Sequence, residues 1–181
     1  MSSNSWGQSL VVQQAAGTAL TNSTVATSIL PGQAKFTIPA QLLAFVGQKL
    51  KVKASGRIST ASSSPGTLSL GINFGSINVF AQGPTATLAT SASNLTWKFE
   101  ADLVTWTVGS GTIATLYGTS RLDSFALSAT TPIFLGPSSS PVPGAGFDST
   151  VASVVDFIAT WSVANAGNSI RCDDFELIFA N

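Results

Sequence analysis

The chain has 181 residues, eight cations, eight acidic side chains and a formal net charge of zero; charged residues make up 9 % of it, against about 25 % in an average soluble protein. Its length suits one domain with a sizeable core, and neutral surfaces repel one another weakly, so association is the expected behaviour. The absence of histidine removes the commonest general base, zinc ligand and triad partner, and one cysteine, Cys172, forms no internal disulfide.

The overall charge does not fit a nucleic-acid binder, which is usually basic as a whole. No apolar run reaches the roughly 18 residues of a membrane-spanning helix. Residues 1–6 lack the basic start and apolar core of a secretion signal, so the expected setting is a cytoplasm or something assembled there.

Residues 1–20 read as an N-terminal arm, with Trp6 and the run Leu10, Val11 and Val12 as the side chains it would dock on a neighbour. A first edge strand of the same domain is the equal alternative. The segment from Ile29 to Ser59 organises the rest of the chain. Thr24 to Leu30 is strand-like, and Pro31-Gly32 fits a type II turn. Ala34 to Ile38 returns as a strand. Pro39 before Ala40–Val46 and Gly47 after it match the signature of a short helix, with Leu42, Leu43, Phe45 and Val46 on its packed side.

Lys49 to Ser59 is the cleanest alternating strand. Leu50, Val52, Ala54 and Ile58 share one face, with Gly56 between them; Lys49, Lys51, Lys53 and Arg57 share the other. Residues 60–66 form a loop. Thr67 to Phe74 alternates again, Ile77 to Ala81 is short, and residues 82–93 are a polar loop. In Leu95 to Leu103 the residues Leu95, Trp97, Phe99, Ala101 and Leu103 oppose Thr96, Lys98, Glu100 and Asp102. The parity then slips at Leu103–Val104, putting Val104, Trp106 and Val108 inward across a bulge.

Gly109-Ser110-Gly111 turns the chain into Thr112–Leu122, followed by the short apolar pieces Phe125–Leu127 and Ile133–Leu135. Gly136 to Gly146 is the longest breaker segment. Val155, Phe157, Ala159, Trp161 and Val163 alternate with Asp156, Ile158, Thr160 and Ser162. Asn165 to Asn168 turns into Ser169–Phe179, whose parity switches at Asp173–Asp174 and predicts a second bulge. The expected fold is all-β: a single-domain, jelly-roll-like β-sandwich or barrel over residues 21–181, with one short helix at about residues 40–46 and the arm at 1–20.

Little chemistry stands out. Asp173, Asp174 and Glu176 form the one acidic cluster; a hard-cation site is the sharper reading, and a charged bulge protecting a strand is the favoured one. Glu100 and Asp102 look like cross-strand partners for the basic stripe. The alternatives for Lys49, Lys51, Lys53 and Arg57 are docking to an acidic partner and a weak, salt-sensitive attraction to nucleic acid. Cys172 reads as a core residue. Trp97, Trp106 and Trp161 read as core or subunit-interface residues, with a sugar-stacking platform as the alternative. No catalytic, cofactor-binding or metal-binding residue is assigned, and no enzyme is expected.

The segment GTALTNSTVATSILPGQAKFTIPAQLLAFVGQKLKVKASGRIS, Gly17 to Ser59, resembles small β-rich structural proteins of tailed double-stranded DNA bacteriophages. So does Gly146 to Phe179, with GFDSTVA and VVDFIATWSVANAGNSI. The likeness is one of turns and strands, covers about two thirds of the chain and is weakest between residues 76 and 140. It implies a virion structural protein assembled in the host cytoplasm. A capsid decoration or cement protein, acting as a homotrimer on the major capsid protein or other virion proteins, is the leading expectation; a minor tail or receptor-binding protein is the alternative. Neither membrane nor direct nucleic-acid partners are expected.

Overall fold

The computed structural model of the chain describes residues 6–81, 86–128, 133–135 and 142–181. Residues 1–5 of the expected arm, and parts of the expected loops at 82–93 and 136–146, lie outside the described residues. The strands are β1 (Gly7–Val12), β2 (Leu20–Thr21), β3 (Thr27–Ser28), β4 (Thr37–Ile38), β5 (Lys49–Ser59), β6 (Thr67–Phe74), β7 (Ile77–Ala81), β8 (Ala86–Thr87), β9 (Leu95–Thr107), β10 (Thr115–Ser124), β11 (Ile133–Leu135), β12 (Ser153–Trp161) and β13 (Ser169–Ala180).

They build two antiparallel sheets packed as a sandwich. The seven-stranded sheet runs β1-β13-β5-β9-β10-β11, with β2 also on β13. The six-stranded sheet runs β3-β12-β6-β7, with β4 on β12 and β8 on β6. Sequence neighbours sit in opposite sheets (β5 and β6, β12 and β13), so the connections cross the sandwich, as the long loops predict.

The strand alternation is physical in origin. Each long strand has one face turned to the other sheet, and that face carries the apolar residues. On β5, Leu50, Val52, Ala54, Gly56 and Ile58 are buried while Lys49, Lys51, Lys53 and Arg57 are exposed. β6, β12 and β13 bury the faces the sequence predicts.

The centre of the core is aromatic. Phe157, from the six-stranded sheet, packs against Trp97, Phe99 and Phe175 of the other sheet at centroid distances of 6.2, 5.1 and 6.1 Å. Between those three, in register on β5, stand only Ala54 and Gly56: Ala54 lies opposite Phe99 and Phe175, and Gly56 opposite Trp97 and Cys172. Small residues there leave room for the large rings. Gly56 is also obligatory for the backbone, since a Cβ would lie 1.9 Å from the Arg171 carbonyl oxygen. The two buried indoles are satisfied: Trp97 Nε1 donates to the Arg171 carbonyl and Trp161 Nε1 to the Leu20 carbonyl.

Three local expectations change. First, the helix at about residues 40–46 does not form. Gln41 stands at φ 62°, which interrupts a run of right-handed residues, and its amide donates to the Ser149 carbonyl, beside the β4–β12 pairing. Residues 40–43 form turns instead; Leu43 is buried, but Phe45 and Val46 are 70 % and 63 % exposed. Second, Pro31 opens a single 3-10 turn over Gly32–Ala34; Gly32 does not take the positive φ of a type II turn. Third, the parity of β9 does not slip at Leu103–Val104. Thr105 continues the buried face, and the register shift falls one residue later, leaving Trp106 as the extra residue opposite Thr115–Leu116. The second bulge lies where the sequence places it, at Asp173, between Cys172 and Asp174.

Gly7–Val12 runs antiparallel to β13 as an outermost strand of the larger sheet, with its own register shift at Leu10. Leu10 and Val11 pack against the core, and Trp6 meets Phe179 edge-on at 5.7 Å.

This packing sets two expected outcomes. Phe157→Ala should lower unfolding stability by about 3–5 kcal/mol, the usual cost of deleting a buried aromatic ring, measured by urea titration with an unchanged m-value. Removing residues 1–12 should cost about 2–4 kcal/mol through lost strand pairing and packing, while thermal unfolding of the remainder stays a single cooperative transition.

Candidate functional site: a self-paired charged face and its aromatic end

The outer face of the seven-stranded sheet holds most of the charge in the molecule. Seven of the eight cations, Lys49, Lys51, Lys53, Arg57, Lys98, Arg121 and Arg171, lie on it. Six of the eight acids, Glu100, Asp102, Asp123, Asp173, Asp174 and Glu176, lie there too. The alternation of β5, β9, β10 and β13 sends every second side chain outward, and the antiparallel register lines the outward residues up in rows.

Most of these charges meet an opposite one. Lys51 Nζ lies 3.3 Å from Asp102, and Lys53 Nζ 3.8 Å from Glu176. Asp173, carried outward at the β13 bulge, receives both Arg57 at 3.5 Å and Arg171 at 2.7 Å. Lys98 pairs with Glu100 and Arg121 with Asp123, each along its own strand. Glu100 stands opposite Lys53 in register, yet its ion pair is with Lys98. That hydrogen-bonded ammonium, with Lys53 and Arg121 nearby, holds the Glu100 carboxyl below its ordinary range. Among the described residues, Lys49 and Asp174 make no ion pair. Each of these exposed pairs contributes only about 0–1 kcal/mol, so their larger effect is to leave the face with little net field.

The basic stripe, the candidate docking feature, is therefore real as geometry but mostly neutralised: Lys51, Lys53 and Arg57 are paired and Lys49 is not. The other candidate docking residues sit at the β1 edge. Trp6 and Val12 are each about half exposed, at 49 % and 51 %, whereas Leu10 and Val11 are partly buried. The acidic cluster is divided by the bulge. Asp173 and Glu176 face cations, and Asp174 points to solvent opposite Ser55.

The remaining charges are local. Asp156 accepts Ser28 Oγ at 2.6 Å and pairs with Lys35 at 2.8 Å, tying β3 and the 3-10 turn onto β12. Asp148 accepts the Gly111 amide and the Thr150 amide and hydroxyl, which holds its carboxyl low and staples two loops together.

At one end of the charged face the surface changes character. Trp106 is 55 % exposed and its ring lies 5.4 Å from that of Tyr117, tilted by 36°. Trp106 continues the outward face of β9, next after the buried Thr105, and so stands beside the phenol of β10; the register shift falls at this residue. Thr105 takes the inward position instead. Its Oγ1 is buried with no hydrogen-bond partner among the described residues. Thr107 and Thr115 hydroxyls bond each other at 2.8 Å beside the rings. Nearby loops leave Phe45, Val46 and Ile113 exposed; Gly47 and Gln48 hydrogen-bond to Thr105, and Thr107 Oγ1 donates to the Ile113 carbonyl.

Alternation alone did not reveal this end. It read Trp106 as inward, the helix signature read Phe45 as packed, and Tyr117, Thr105 and Ile113 carried no signal of their own. Trp97 and Trp161 are core residues, as expected.

No family model matches the chain, and no curated protein matches it. Among solved structures, it is similar to the CBM2 module of the evolved Dit of Lactobacillus casei BL23 phage J-1, with a TM-score of 0.38 and 9 % identity, over 98 % of this chain and 97 % of that chain.

Cys172 is fully buried between Ile170 and Phe175, and burial pushes its thiol up to about 12. In the native protein at about pH 8 the thiol should therefore resist a disulfide reagent such as dithionitrobenzoate, since the thiolate is the reactive form. It should react at once after unfolding in guanidinium. Fast native labelling would show that β13 opens readily beside the bulge.

Proposed function

We propose that the chain is a non-enzymatic structural protein of a tailed bacteriophage virion, and that within the virion it decorates or cements the capsid through contacts between oligomeric subunits. The observation that carries the proposal is the self-paired charge of the large sheet face, set beside exposed apolar side chains at Phe45, Val46, Trp106 and Ile113. A surface with little net field and unsheltered apolar residues favours packing against neighbours over solitary solubility. The phage setting is supported by the resemblance of Gly17–Ser59 and Gly146–Phe179 to small virion proteins.

In this reading the partners are further copies of the chain, as a trimer, and the major capsid protein or another virion protein. Trp6 and Val12 at the β1 edge, with Leu10 and Val11 anchoring that strand, offer one contact, and unpaired Lys49 offers a charge to an acidic shell surface. The reading needs no cofactor and assigns no catalytic or metal-binding residue.

A second reading, a minor tail or receptor-binding protein, is favoured by the exposed Trp106–Tyr117 pair, which lies on an open sheet face and not in a crevice. The two separate in one experiment: mixing the purified protein with purified expanded capsids and with host cells, followed by electron microscopy of intact particles. Capsid binding and density repeated over the head lattice are the expected results. Binding to cells with none to capsids would replace the decoration role by the tail role, and binding to neither would remove both.

A further inference from the structure

We infer that Trp106 and Tyr117 form a stacking site for a neutral polysaccharide, with the hexopyranose chain lying along the outer face of β9 and β10. Four observations lead to it. The chain's one tyrosine and a Trp are placed together on an exposed face, at 5.4 Å and 36°, as a twisted apolar shelf. Such rings present a flat apolar surface to the C–H face of a sugar while the indole N–H and phenol O–H serve as polar handles.

The shelf is also made at a structural cost. A fold serving stability alone would bury the indole and expose the threonine. Here the strand does the reverse, carrying Trp106 outward at the bulge and leaving the Thr105 hydroxyl buried with no partner among the described residues. Bulges are over-represented beside functional sites, and local rules broken without a stabilising return mark functional positions.

Polar groups continue directly from the rings. Along β10 the next outward residues are Thr119 and Arg121, and across the sheet lie Asp102 and Lys51, 3.3 Å apart. They offer a hydroxyl, a carboxylate and an ammonium to sugar hydroxyls, with the last two already neutralising each other. That balance selects against a strongly acidic polymer, which would have to displace Asp102. Finally, the shelf is exposed and the outward residues of β9 and β10 beside it are exposed too, so it suits internal units of a chain and not a terminal sugar held in a pocket.

The site does not depend on whether the protein sits on head or tail, and it stands or falls separately from that assignment. The test is native affinity electrophoresis of the full chain in gels containing dextran, laminarin or galactan, with hyaluronan as the acidic comparison. At least one neutral polysaccharide should retard the wild type, and added sodium chloride should leave the retardation in place, because stacking is not screened by salt. Trp106→Ala should weaken the apparent affinity at least tenfold, and Tyr117→Ala should weaken it too. Trp106→Phe should keep part of it, and Trp6→Phe all of it. Circular dichroism and thermal unfolding of each variant confirm an intact sandwich.

Ligand protection from acrylamide quenching should disappear in Trp106→Ala, since Trp97 and Trp161 are buried. Absence of retardation by every neutral polysaccharide overturns the inference. So does a folded Trp106→Ala protein that is retarded like the wild type, or one whose only change is its oligomeric state, which would make the shelf a protein contact.

Discussion

The contact on which the sandwich depends is Phe157 meeting Trp97, Phe99 and Phe175 across the gap between the sheets. Two twisted sheets pack about 10 Å apart, and side chains must fill that gap without voids. The chain meets the requirement by concentrating ring volume on β9, β12 and β13 and thinning β5 to Ala54 and Gly56. The same glycine lets β13 come close enough for the Arg171 carbonyl to occupy the place of a side chain. The bulge at Asp173 comes immediately after. Core packing and surface charge are thus linked through one short piece of β13: Cys172 turns in, Asp173 turns out, and two arginines converge on it.

The surface obeys a similar economy. With so few ionisable residues, the chain places nearly all of them on one sheet and closes them into pairs. Apart from the Asp156–Lys35 pair and Asp148, the second sheet and the described loops are left with hydroxyls, amides and apolar groups. An exposed strand such as β1 is shielded from indiscriminate pairing by its shortness and its shift at Leu10, devices that commonly protect sheet edges. What the molecule offers a partner is therefore shape and apolar contact more than a field that acts at a distance.

Much of this was legible in the residues. β5, β6, β12 and β13 could be read almost side chain by side chain, because each has one fully buried face and the period of two has no alternative explanation there. The Asp173 bulge was legible for the same reason: apolar parity changes on either side of it. The helix at 40–46 was misread because Pro39 and Gly47 are local signals, while the Ser149 carbonyl that captures the Gln41 amide is more than a hundred residues away in the chain. Trp106 was misread because hydropathy assigns the indole to the interior and threonine to the surface, and here both assignments fail at once. Its partner Tyr117 becomes visible only when the β9–β10 register is known. The sequence therefore showed the scaffold and the charged stripe, and hid the aromatic end where local preference yields to placement.

The composition of the charged face has one more consequence. It contains only lysine, arginine, aspartate and glutamate, none of which ordinarily titrates between about pH 5 and 8. The chain has no histidine, and its one thiol is held far above that window. The chain thus lacks the side chain most often used as a switch near neutral pH. The face is balanced because each paired cation has a carboxylate beside it, so the same plate stripped of its carboxylate charge would be one-sided and cationic. Its neutrality is a matter of arrangement, held by strand register and not by any scarcity of cations on that face.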